Sequence, residues 1–558
     1  MTEIHVLEEK IKEIIDQLKG LCNQNGLGNQ AVEEEIITSV FLYKFLNDKF
    51  MYNINEFEKE IDNLSKEDIL DNKDGIMDVF YSKYASDVAF EYPQTIEYLV
   101  NQTSKDNFYE IFDDALENIS NNPLNEDFGI ETAEGNREPL FNRITENVEL
   151  SGRNNFAKNL IGIISQEKFD FSSAFKENFD FYSTIFEYLI KDYNVASGTY
   201  AEYYTPQAIS KIIAKILVHM SPVKDISYDI YDPSAGSGSL ILHLAHELGE
   251  GSFGNKAQVY TQDISAKSSR FLRINMLLNG LTDSLDNIIQ GNTLLSPAHY
   301  VEDGDSSSGI KRFDFITSNP PFKMDFSSTR DTIENKWSES EEYDGLKRFF
   351  AGIPNIPPKD KDKMAVYLCF IQHILWSLKE NGKAAIVVPT GFITAKTGMP
   401  KNIRQVIIEK RWLKGVIAMP PNIFANTGTN VSVIFIDKSN NDGEVILIDA
   451  SKLGEKIKIN KNKKTVLRPF EIKQIEETFI NQDTVDNFSV KVDFDTITER
   501  KYSFYAPQYF EIKNDFEEIP IEEFNSRMEN YKEELLKLFD ESDELTEQLK
   551  NILDEFTS

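Results

Sequence analysis

The sequence predicts an α/β fold in which an α-helical N-terminal region precedes a mostly parallel, seven-stranded sheet and a long C-terminal helix follows it. Three observations predict this fold. The first part of the 558-residue chain has apolar residues at helical spacing, the middle alternates short apolar strands with helices, and the end carries a heptad pattern. Because alternating strands and helices are typical of parallel sheets, we expect a ligand site at the carboxyl edge of this sheet.

Residues 1–165 are predicted to form an α-helical domain. Leu7, Ile11, Ile14, Ile15 and Leu18 recur at helical spacing, and residues 36–50 form a second periodic apolar stretch. Their expected role is core packing, and nothing in this region has the pattern of a catalytic site. A helix over 179–193 is expected to connect it to the sheet domain, whose bounds we predict as 166–470.

Seven short runs rich in β-branched and aromatic residues predict the strands of the sheet. They lie at 228–232, 258–262, just before 290, 313–318, 384–388, 415–419 and 431–436, with helices at 240–248, 267–279 and 364–378 between them. Two connections stand out. Residues 301–311 are polar and rich in glycine and serine, whereas 323–362 is long for a connection inside a compact domain, which favours a functional or partly mobile segment.

The turn after the first strand, residues 232–239, has the sequence Asp-Pro-Ser-Ala-Gly-Ser-Gly-Ser and begins a helix. Its glycines permit positive φ angles and a close approach of the backbone to a ligand. A helix amino end also offers N–H groups to a negative group. NAD, flavin and S-adenosylmethionine sites all use such a turn, but this one lacks the third glycine of the dinucleotide fingerprint. The chain also has no phosphate-binding P-loop motif, so nucleotide hydrolysis has little support.

Asp263 ends the second predicted strand, where a carboxylate can accept hydrogen bonds from both hydroxyls of a ribose. The alternative is that it caps the following helix. We favour the ribose because Asp232, Asp263 and Asn319 follow three strands in turn. His243 and His246 lie three residues apart on a helix, but no further ligands follow at zinc spacing, so no metal site is predicted.

The fourth strand ends at Asn319-Pro320-Pro321-Phe322. Two prolines cannot continue a sheet, so the strand must stop there in a stiff turn. That turn presents an amide side chain, prolyl carbonyls and an aromatic face. A flat ring with an exocyclic amine fits this set, because the amine can donate to Asn319 and Pro320 while Phe322 stacks on the ring. An ordinary strand-end turn is the alternative for this tetrapeptide taken alone.

Composition limits the class of protein. No apolar run approaches the length of about 20 residues that a membrane span needs, and the first residues lack the pattern of a signal peptide. Two cysteines, Cys22 and Cys369, exclude a disulfide framework and fit a reducing compartment, so a cytoplasmic location is expected.

The formal net charge of −33 is concentrated in two segments. Residues 1–150 have 12 basic and 33 acidic side chains, and residues 514–558 have 4 and 15, which leaves the middle nearly neutral. Acidic flanks repel a phosphate backbone. If the protein acts on nucleic acid, another subunit is therefore expected to supply much of the binding affinity.

These motifs, taken in order, resemble those of the modification subunits of type I restriction–modification systems, which are DNA adenine-N6 methyltransferases with a Rossmann-like domain. The resemblance covers nearly the whole chain. It implies S-adenosyl-L-methionine as the cofactor and the following roles. The implied catalytic residues are Asn319, Pro320, Pro321 and Phe322, and the implied cofactor-binding residues are Tyr204, Thr205, Pro206, Asp232, Ser234, Gly236, Ser237, Gly238, Asp263 and Asn292.

Other stretches are also similar to landmarks of the family: Arg348-Phe349, 372–375, 389–391 and 422–424. Two departures are visible. Residues 234–239 stand where many members have Ala-Cys-Gly-Ser-Gly-Gly, and Asn292 stands where an aspartate usually meets the cofactor adenine. An asparagine oxygen can still accept a hydrogen bond from that amine.

The resemblance implies that the target adenine is flipped out of the DNA duplex and methylated. It also implies that the chain works in a complex with a specificity subunit and a restriction subunit. Two other functions stay open from the sequence. The same tetrapeptide could act on RNA or on a protein glutamine amide, or the chain could be a non-catalytic assembly subunit. Methyl transfer to DNA in the presence of the partner would separate these alternatives.

Two further stretches bear on partners. The residues Lys396, Lys401, Arg404, Lys410, Arg411 and Lys414 form a basic group that could hold DNA or could be a solvated helix face. In the predicted C-terminal region, 471–558, a heptad row is formed by Phe524, Met528, Tyr531, Leu535, Leu538, Leu545, Leu549, Ile552 and Phe556. Its acidic flanks disfavour pairing with a copy of itself. We therefore expect it to dock on a more basic partner helix, with packing against its own chain as the alternative.

Overall fold

The computed structural model describes residues 3–28, 31–61, 64–85, 87–131, 137–172, 205–221, 226–250, 256–279, 281–301, 309–338, 342–424, 429–440, 443–459, 462–511 and 519–557. The connecting helix expected over 179–193 and the cofactor residue Tyr204 lie outside these ranges. The chain divides into two compact units, Met1–Phe510 and Glu511–Ser558.

The N-terminal part of the larger unit is helical, as predicted. Its helices are α1 (Glu3–Gln24), α2 (Ala31–Glu60), α3 (Lys66–Leu70), α4 (Ile76–Lys83), α5 (Ile96–Gln102), α6 (Phe108–Asn121) and α7 (Arg153–Ile164). Tyr43 lies at the centre of an aromatic core, with ring centroids 6.2 Å from Phe90, Phe112 and Phe141. The apolar periodicity of Ile11, Ile14 and Leu18 corresponds to side chains that are fully or almost fully buried. Core packing therefore accounts for these residues.

A large sheet forms the middle of the chain. Its strands are β1 (Ser227–Asp232), β2 (Lys256–Asp263), β3 (Ile288–Gln290), β4 (Phe313–Ser318), β5 (Leu378–Pro389), β6 (Leu413–Ala418), β7 (Val431–Asp437), β8 (Val445–Asp449) and β9 (Ser489–Val492). They are arranged in the order β9-β8-β6-β7-β5-β4-β1-β2-β3. Strand β7 runs antiparallel between β5 and β6, and β9 runs antiparallel to β8, whereas the other neighbours are parallel. The predicted mostly parallel α/β sheet is thus confirmed.

The seven predicted strands correspond to β1 to β7, and β8 and β9 extend the sheet by two strands to nine. The ninth strand lies past residue 470, where the sequence placed the end of this domain. Helices cover both faces: α8 (Gln207–His219), α9 (Ser239–Glu250), α10 (Ala266–Leu278), α11 (Ser327–Trp337), α12 (Tyr367–Ser377), α13 (Thr390–Thr394), α14 (Gly398–Glu409), α15 (Pro469–Asn481) and α16 (Phe494–Glu499). Within β5, Ala385 and Val387 belong to one apolar cluster and Ile386 and Val388 to another, because alternate side chains point to opposite faces.

Two short antiparallel pairs lie outside this sheet. Ile130–Glu131 pairs with Arg137–Glu138 in the N-terminal part. A longer hairpin, Glu455–Ile459 with Asn462–Val466, follows β8. Its base is joined to the turn after β6, where the Thr465 N–H donates to the Asn422 carbonyl at 2.9 Å.

The second unit is built on one helix, α17 (Ile521–Thr557), 37 residues long. The apolar row predicted from the heptads lies along it, and its described side chains are about half exposed, from 49% for Phe524 to 61% for Leu545. Among the described residues no helix is long and apolar enough to cross a membrane. Cys22 and Cys369 are both free thiols in the core, and burial raises the pKa of each to about 12.

Candidate active site

Three polar residues meet at the carboxyl edge of the large sheet. Asp232 ends β1, Asp263 ends β2, and Asn319 follows β4. Strand β1 lies between β2 and β4. The chain passes from β1 to β2 on one side of β1 and later returns to β4 on its other side, which opens a crevice at this edge. The sheet order therefore brings together side chains that are up to 87 positions apart in the chain.

The glycine-rich turn after β1 is held by β2. Gly236 has φ +54°, and its N–H donates to the Asp263 carboxylate at 2.9 Å. Gly238 has φ +85°, and a Cβ there would lie 2.2 Å from Leu272 Cδ1. Both the backbone angle and the contact with α10 require glycine at position 238. The turn is thus fixed in place before any ligand binds.

Asp263 does not cap the helix that follows it. The N-cap of α10 is Ser265, whose hydroxyl accepts from the Ser268 N–H, while Asp263 accepts from the Ser265 N–H at 2.8 Å. Burial is the largest cause of a raised pKa for Asp263, and the two N–H donors from Ser265 and Gly236 oppose it. The helix-cap interpretation is therefore wrong, and the ribose interpretation is still a prediction.

Asp232 is almost fully buried and accepts a hydrogen bond from the Ser234 N–H at 3.0 Å. Its pKa is raised well above the usual value, first by burial and also by the nearby Asp263. Ser234 in turn shares a 2.7 Å hydroxyl contact with Ser318 at the end of β4. This bond joins the glycine-rich turn to the strand that ends in Asn319.

Asn319 points its amide nitrogen at Thr205. The Asn319 Nδ2 donates to the Thr205 hydroxyl at 3.1 Å. With the nitrogen used in this way, the Asn319 Oδ1 is the part of the amide that can accept from an incoming amine. Thr205 is buried and lies just before Pro206, which is the N-cap of α8. The structure thus brings one predicted cofactor residue, Thr205, against the predicted catalytic one.

The other three residues of the tetrapeptide differ in how far they are exposed. Pro320 is buried, whereas Pro321 and Phe322 are partly exposed. The Phe322 ring meets Tyr367 edge-on, with centroids 6.4 Å apart, and Tyr367 meets Phe392 in the same way at 6.2 Å. The exposed part of the Phe322 ring is the surface on which a flat ring could stack.

A cleft with about 240 Å³ of unfilled space, part of it open to solvent, lies between these groups. It is lined by Thr205, Asp232, Ser234, Ala235, Ser237, Ser239, Leu240 and Asn319. Its lining combines carboxylate, hydroxyl and backbone groups with few apolar surfaces, which suits a polar ligand that carries an amino acid group. Five of these eight residues are candidates named from the sequence: Thr205, Asp232, Ser234, Ser237 and Asn319.

Two predicted cofactor residues have other hydrogen-bond partners. The Asn292 side-chain oxygen accepts from the N–H groups of Leu294 and Leu295, at 3.1 and 3.3 Å. This bond fixes the turn after β3 and occupies the oxygen that was expected to meet an adenine amine. The Ser237 carbonyl accepts from the buried Asn275 side chain at 2.6 Å, which fixes the turn from α10.

Arg348 is a residue near the site to which the sequence gave no role. It is completely buried and donates to the carbonyls of Thr293 and Leu294, at 2.7 and 3.0 Å. It also donates to His373 at 3.2 Å and lies over the Trp337 ring at 4.2 Å. Burial lowers its pKa to about 9. The long 323–362 segment thus fixes the turn after Asn292, and the family landmark at Arg348 was the only signal of this.

The basic group predicted for 396–414 is not a uniform surface. Arg404 is buried and donates to the carbonyls of Phe392, Ala395 and Tyr502, so it fixes loops and cannot contact DNA. Lys410 donates to the Asp344 carbonyl at 2.8 Å. The periodicity of charge along a helix does not distinguish a surface arginine from one that satisfies buried carbonyls.

No group of three or more His, Cys, Asp or Glu side chains in the described ranges is arranged to hold a metal ion. His243 donates from Nδ1 to the Ser239 carbonyl at 2.7 Å within its own helix.

The fold and the cleft can now be compared with known proteins. Residues 177–518, more than half of the chain, match the family model described as N-6 DNA Methylase. The chain belongs to this family. As an N-6 DNA methylase it transfers a methyl group from S-adenosyl-L-methionine to N6 of adenine in DNA. The cleft fits this cofactor, because a fixed glycine-rich turn and two carboxylates lie where the sheet order opens.

The chain is also similar to individual proteins over most of its length. It is 25% identical to the type I restriction enzyme MpnII methylase subunit of Mycoplasma pneumoniae, over 98% of this chain and 95% of the relative. It is 24% identical to the MjaVIII methylase subunit of Methanocaldococcus jannaschii, over 98% and 86%. A crystal structure of the type I methyltransferase subunit from Streptococcus thermophilus matches with a TM-score of 0.67 and 20% identity, over 90% of this chain and all of that one. This last match supports the fold.

If Asp263 holds the cofactor ribose, Asp263→Ala should weaken binding of S-adenosylmethionine about 10- to 150-fold, the effect of losing a hydrogen bond to a charged group. Calorimetry on the folded variant measures this. Asp437→Ala is the matched control, because Asp437 also accepts from the N–H two residues later but ends the antiparallel strand β7. Equal affinity of the Asp263→Ala variant and the unchanged protein would reduce Asp263 to a residue that only shapes its turn.

Proposed function

We propose that this N-6 DNA methylase is the modification subunit of a type I restriction–modification complex. The Mycoplasma pneumoniae relative, named as the methylase subunit of a type I restriction enzyme, matches over 98% of this chain and 95% of its own length. The single observation that carries the chemistry is the amide of Asn319, whose nitrogen is held by Thr205 at the edge of the cleft. Its oxygen is thereby left to receive the target amine.

The chain's own residues activate the target amine and position the two reactants. The Asn319 oxygen and the Pro320 carbonyl accept hydrogen bonds from the two N–H groups of the adenine amine. This draws the nitrogen towards tetrahedral geometry and frees a lone pair that is otherwise delocalised into the ring. S-adenosylmethionine supplies an electrophilic methyl group when bound. Correct positioning of the two reactants then provides the main part of the rate enhancement.

Base flipping has a cost that Phe322 offsets in part. Removing an adenine from the stack costs a few kcal/mol, and stacking on an aromatic ring returns about 1–3 kcal/mol per base. Phe322 is partly exposed and is held edge-on by Tyr367, with ring centroids 6.4 Å apart. We propose that the flipped adenine stacks on it.

The cofactor is proposed to lie along the carboxyl edge from β4 to β3. Its methionine part is assigned to a group of residues around the glycine-rich turn, namely Tyr204, Thr205, Pro206, Asp232, Ser234, Gly236, Ser237 and Gly238. Asp263 is assigned to the ribose. For the adenine, Asn292 is assigned through its amide nitrogen or backbone, because its side-chain oxygen already accepts from Leu294 and Leu295.

The partners follow from the same assignment. We propose that a specificity subunit reads the DNA and docks on α17, that a restriction subunit joins the complex, and that the complex works in the cytoplasm. We also propose three functional regions: the helical domain 1–165, the methyltransferase domain 166–470, and a C-terminal region 471–558 for docking. Strand β9 and α16, which lie past 470, complete the sheet domain structurally.

The test is to purify the tagged full chain from its own source and to identify what co-purifies with it. The complex is then incubated with labelled S-adenosylmethionine and with duplex DNA, RNA or protein. We expect label on adenine N6 at one bipartite or otherwise defined DNA sequence, mapped by sequencing of modified bases. Label on RNA or on glutamine, or none on any substrate with the partner present, would contradict the proposal.

A further inference from the structure

The hairpin that follows β8 has a charge opposite to that of the chain. Between residues 455 and 466 there are five lysines and one glutamate, in a protein whose formal net charge is −33. Its strands are Glu455–Ile459 and Asn462–Val466. No motif used in assigning the methyl-transfer site includes this segment.

The register of the hairpin sets two lysine positions opposite each other. Lys458 lies directly opposite Lys463, and Lys464 lies opposite Ile457 one position further along. Like charges on directly opposed positions of an antiparallel pair destabilise it. Of the residues that the structure describes, no carboxylate forms an ion pair with Lys456 or Lys464. A basic hairpin of this kind becomes favourable when an anionic ligand lies against it.

Its base is firmly attached to the sheet domain. Thr465 is buried, its N–H donates to the Asn422 carbonyl at 2.9 Å, and its hydroxyl donates to the Pro421 carbonyl at 2.6 Å. Leu467, just past the second strand, is part of the main apolar core. The hairpin therefore has a fixed position at the end of β6 and β8.

That position is on the same edge of the sheet as Asn319. Strands β4, β5, β6 and β8 all run in one direction, so the hairpin after β8 and the tetrapeptide after β4 leave from the same edge. Four strand spacings separate β4 from β8. At about 4.8 Å each, the hairpin begins about 19 Å from the catalytic turn. This distance corresponds to about five or six base pairs of duplex, at 3.4 Å per base pair.

We propose that the two strands of this hairpin, Glu455–Ile459 and Asn462–Val466, bind the backbone phosphates of duplex DNA on one side of the flipped adenine. The inference rests on the proposed function, because it needs a DNA substrate held at Asn319. Lysine is a flexible point charge, which suits sequence-independent contact with phosphates better than the reading of base edges. The hairpin thus provides a local anchor in a chain whose acidic segments repel the backbone.

The test uses the complex purified through the full chain, and the variant K456Q/K458Q/K463Q/K464Q. Binding of a duplex containing the methylated site is measured by fluorescence anisotropy from low to moderate salt. Each phosphate contact contributes about 0.9 to the slope of log K against log salt. We expect the slope to fall in magnitude by about 2 to 4 and the KM for DNA to rise, while kcat at saturating DNA stays within twofold.

Two controls make the outcome specific. The four substitutions to arginine keep the charge and should keep the slope. A second set, K59Q/K66Q/K73Q/K83Q, removes the same charge from lysines of the helical domain that are each paired with an acidic residue, and should leave the slope unchanged.

The remaining outcomes each decide the matter. A glutamine variant with an unchanged slope, in a complex that still methylates adenine, overturns the hairpin proposal while leaving the proposed function intact. A variant that no longer co-purifies with its partner subunit would make the hairpin a protein-docking surface and would also overturn it. If the unmodified complex methylates no DNA at all, the failure belongs to the proposed function.

Discussion

Asn319→Ala should lower methyl transfer by about two to three orders of magnitude while leaving the affinity for S-adenosylmethionine nearly unchanged. The loss of a single fixed hydrogen-bonding group at a reacting centre typically costs about 100- to 1000-fold, and in the proposed mechanism Asn319 accepts directly from the reacting amine. The cofactor is proposed to lie against the glycine-rich turn, which is fixed by hydrogen bonds to Asp263 and Asn275 and not by Asn319. Single-turnover rates and calorimetry on the same preparation separate these two effects.

Thr205→Val provides the matched control for this prediction. Valine keeps the shape of threonine but removes the hydroxyl that accepts from Asn319 Nδ2, so the amide loses its orientation but not its oxygen. We expect a loss of rate smaller than that of Asn319→Ala, with the melting temperature close to that of the unchanged protein. Full turnover by Asn319→Ala would end the adenine-amine mechanism for this chain.

Deleting residues 520–558 should abolish co-purification with the specificity subunit and, with it, methylation at a defined site. The described apolar side chains of α17 are about half exposed, and residues 511–558 form a compact unit of their own. Cofactor binding should be unchanged, because every described residue that lines the cleft lies between 205 and 319. Affinity purification followed by mapping of methylated adenines measures both parts.

Two double variants of α17 test whether the partner binds the apolar row or another face of the helix. Leu538→Lys with Leu545→Lys adds two charges within the row, whereas Asn530→Lys with Asn551→Lys adds two charges to the opposite face of the same helix. Leucine and lysine have similar helix propensities, so the helix itself should persist. Only the first variant should lose its partner. If the deletion protein still assembled and methylated normally, docking through α17 would be wrong.

The strands that sequence could predict are those whose signal is local. β1 to β7 are apolar runs in which the residue type itself decides, and β4 with its two following prolines is the clearest case. Strand β9, at Ser489–Val492, buries its two end residues and exposes only Lys491, and its four residues are too few to give a pattern. The sequence also predicts Asp232, Asp263 and Asn319 as site residues, because the first two end a strand and Asn319 directly follows one.

The parts that sequence could not predict depend on which buried groups need partners. Arg348 and Arg404 are charged residues in polar stretches, yet both are almost fully buried and donate to backbone carbonyls. Only the folded chain shows which carbonyls these are. The same holds for Asn292, whose oxygen accepts from its own turn, a bond that competes with the role assigned from the family pattern.

The ends of the large sheet limit the ways in which this subunit can assemble. One outer strand, β3, has three residues, and the other, β9, has four, with Lys491 paired to Glu444 on the outer ladder. Short edge strands offer few free N–H and C=O groups to an incoming chain. Strand addition, by which many proteins bind extended peptides or aggregate, is therefore disfavoured at both edges. Association through helices and loops is the mode that this architecture leaves open, and it lets the subunit join a complex while its sheet stays closed to misdirected pairing.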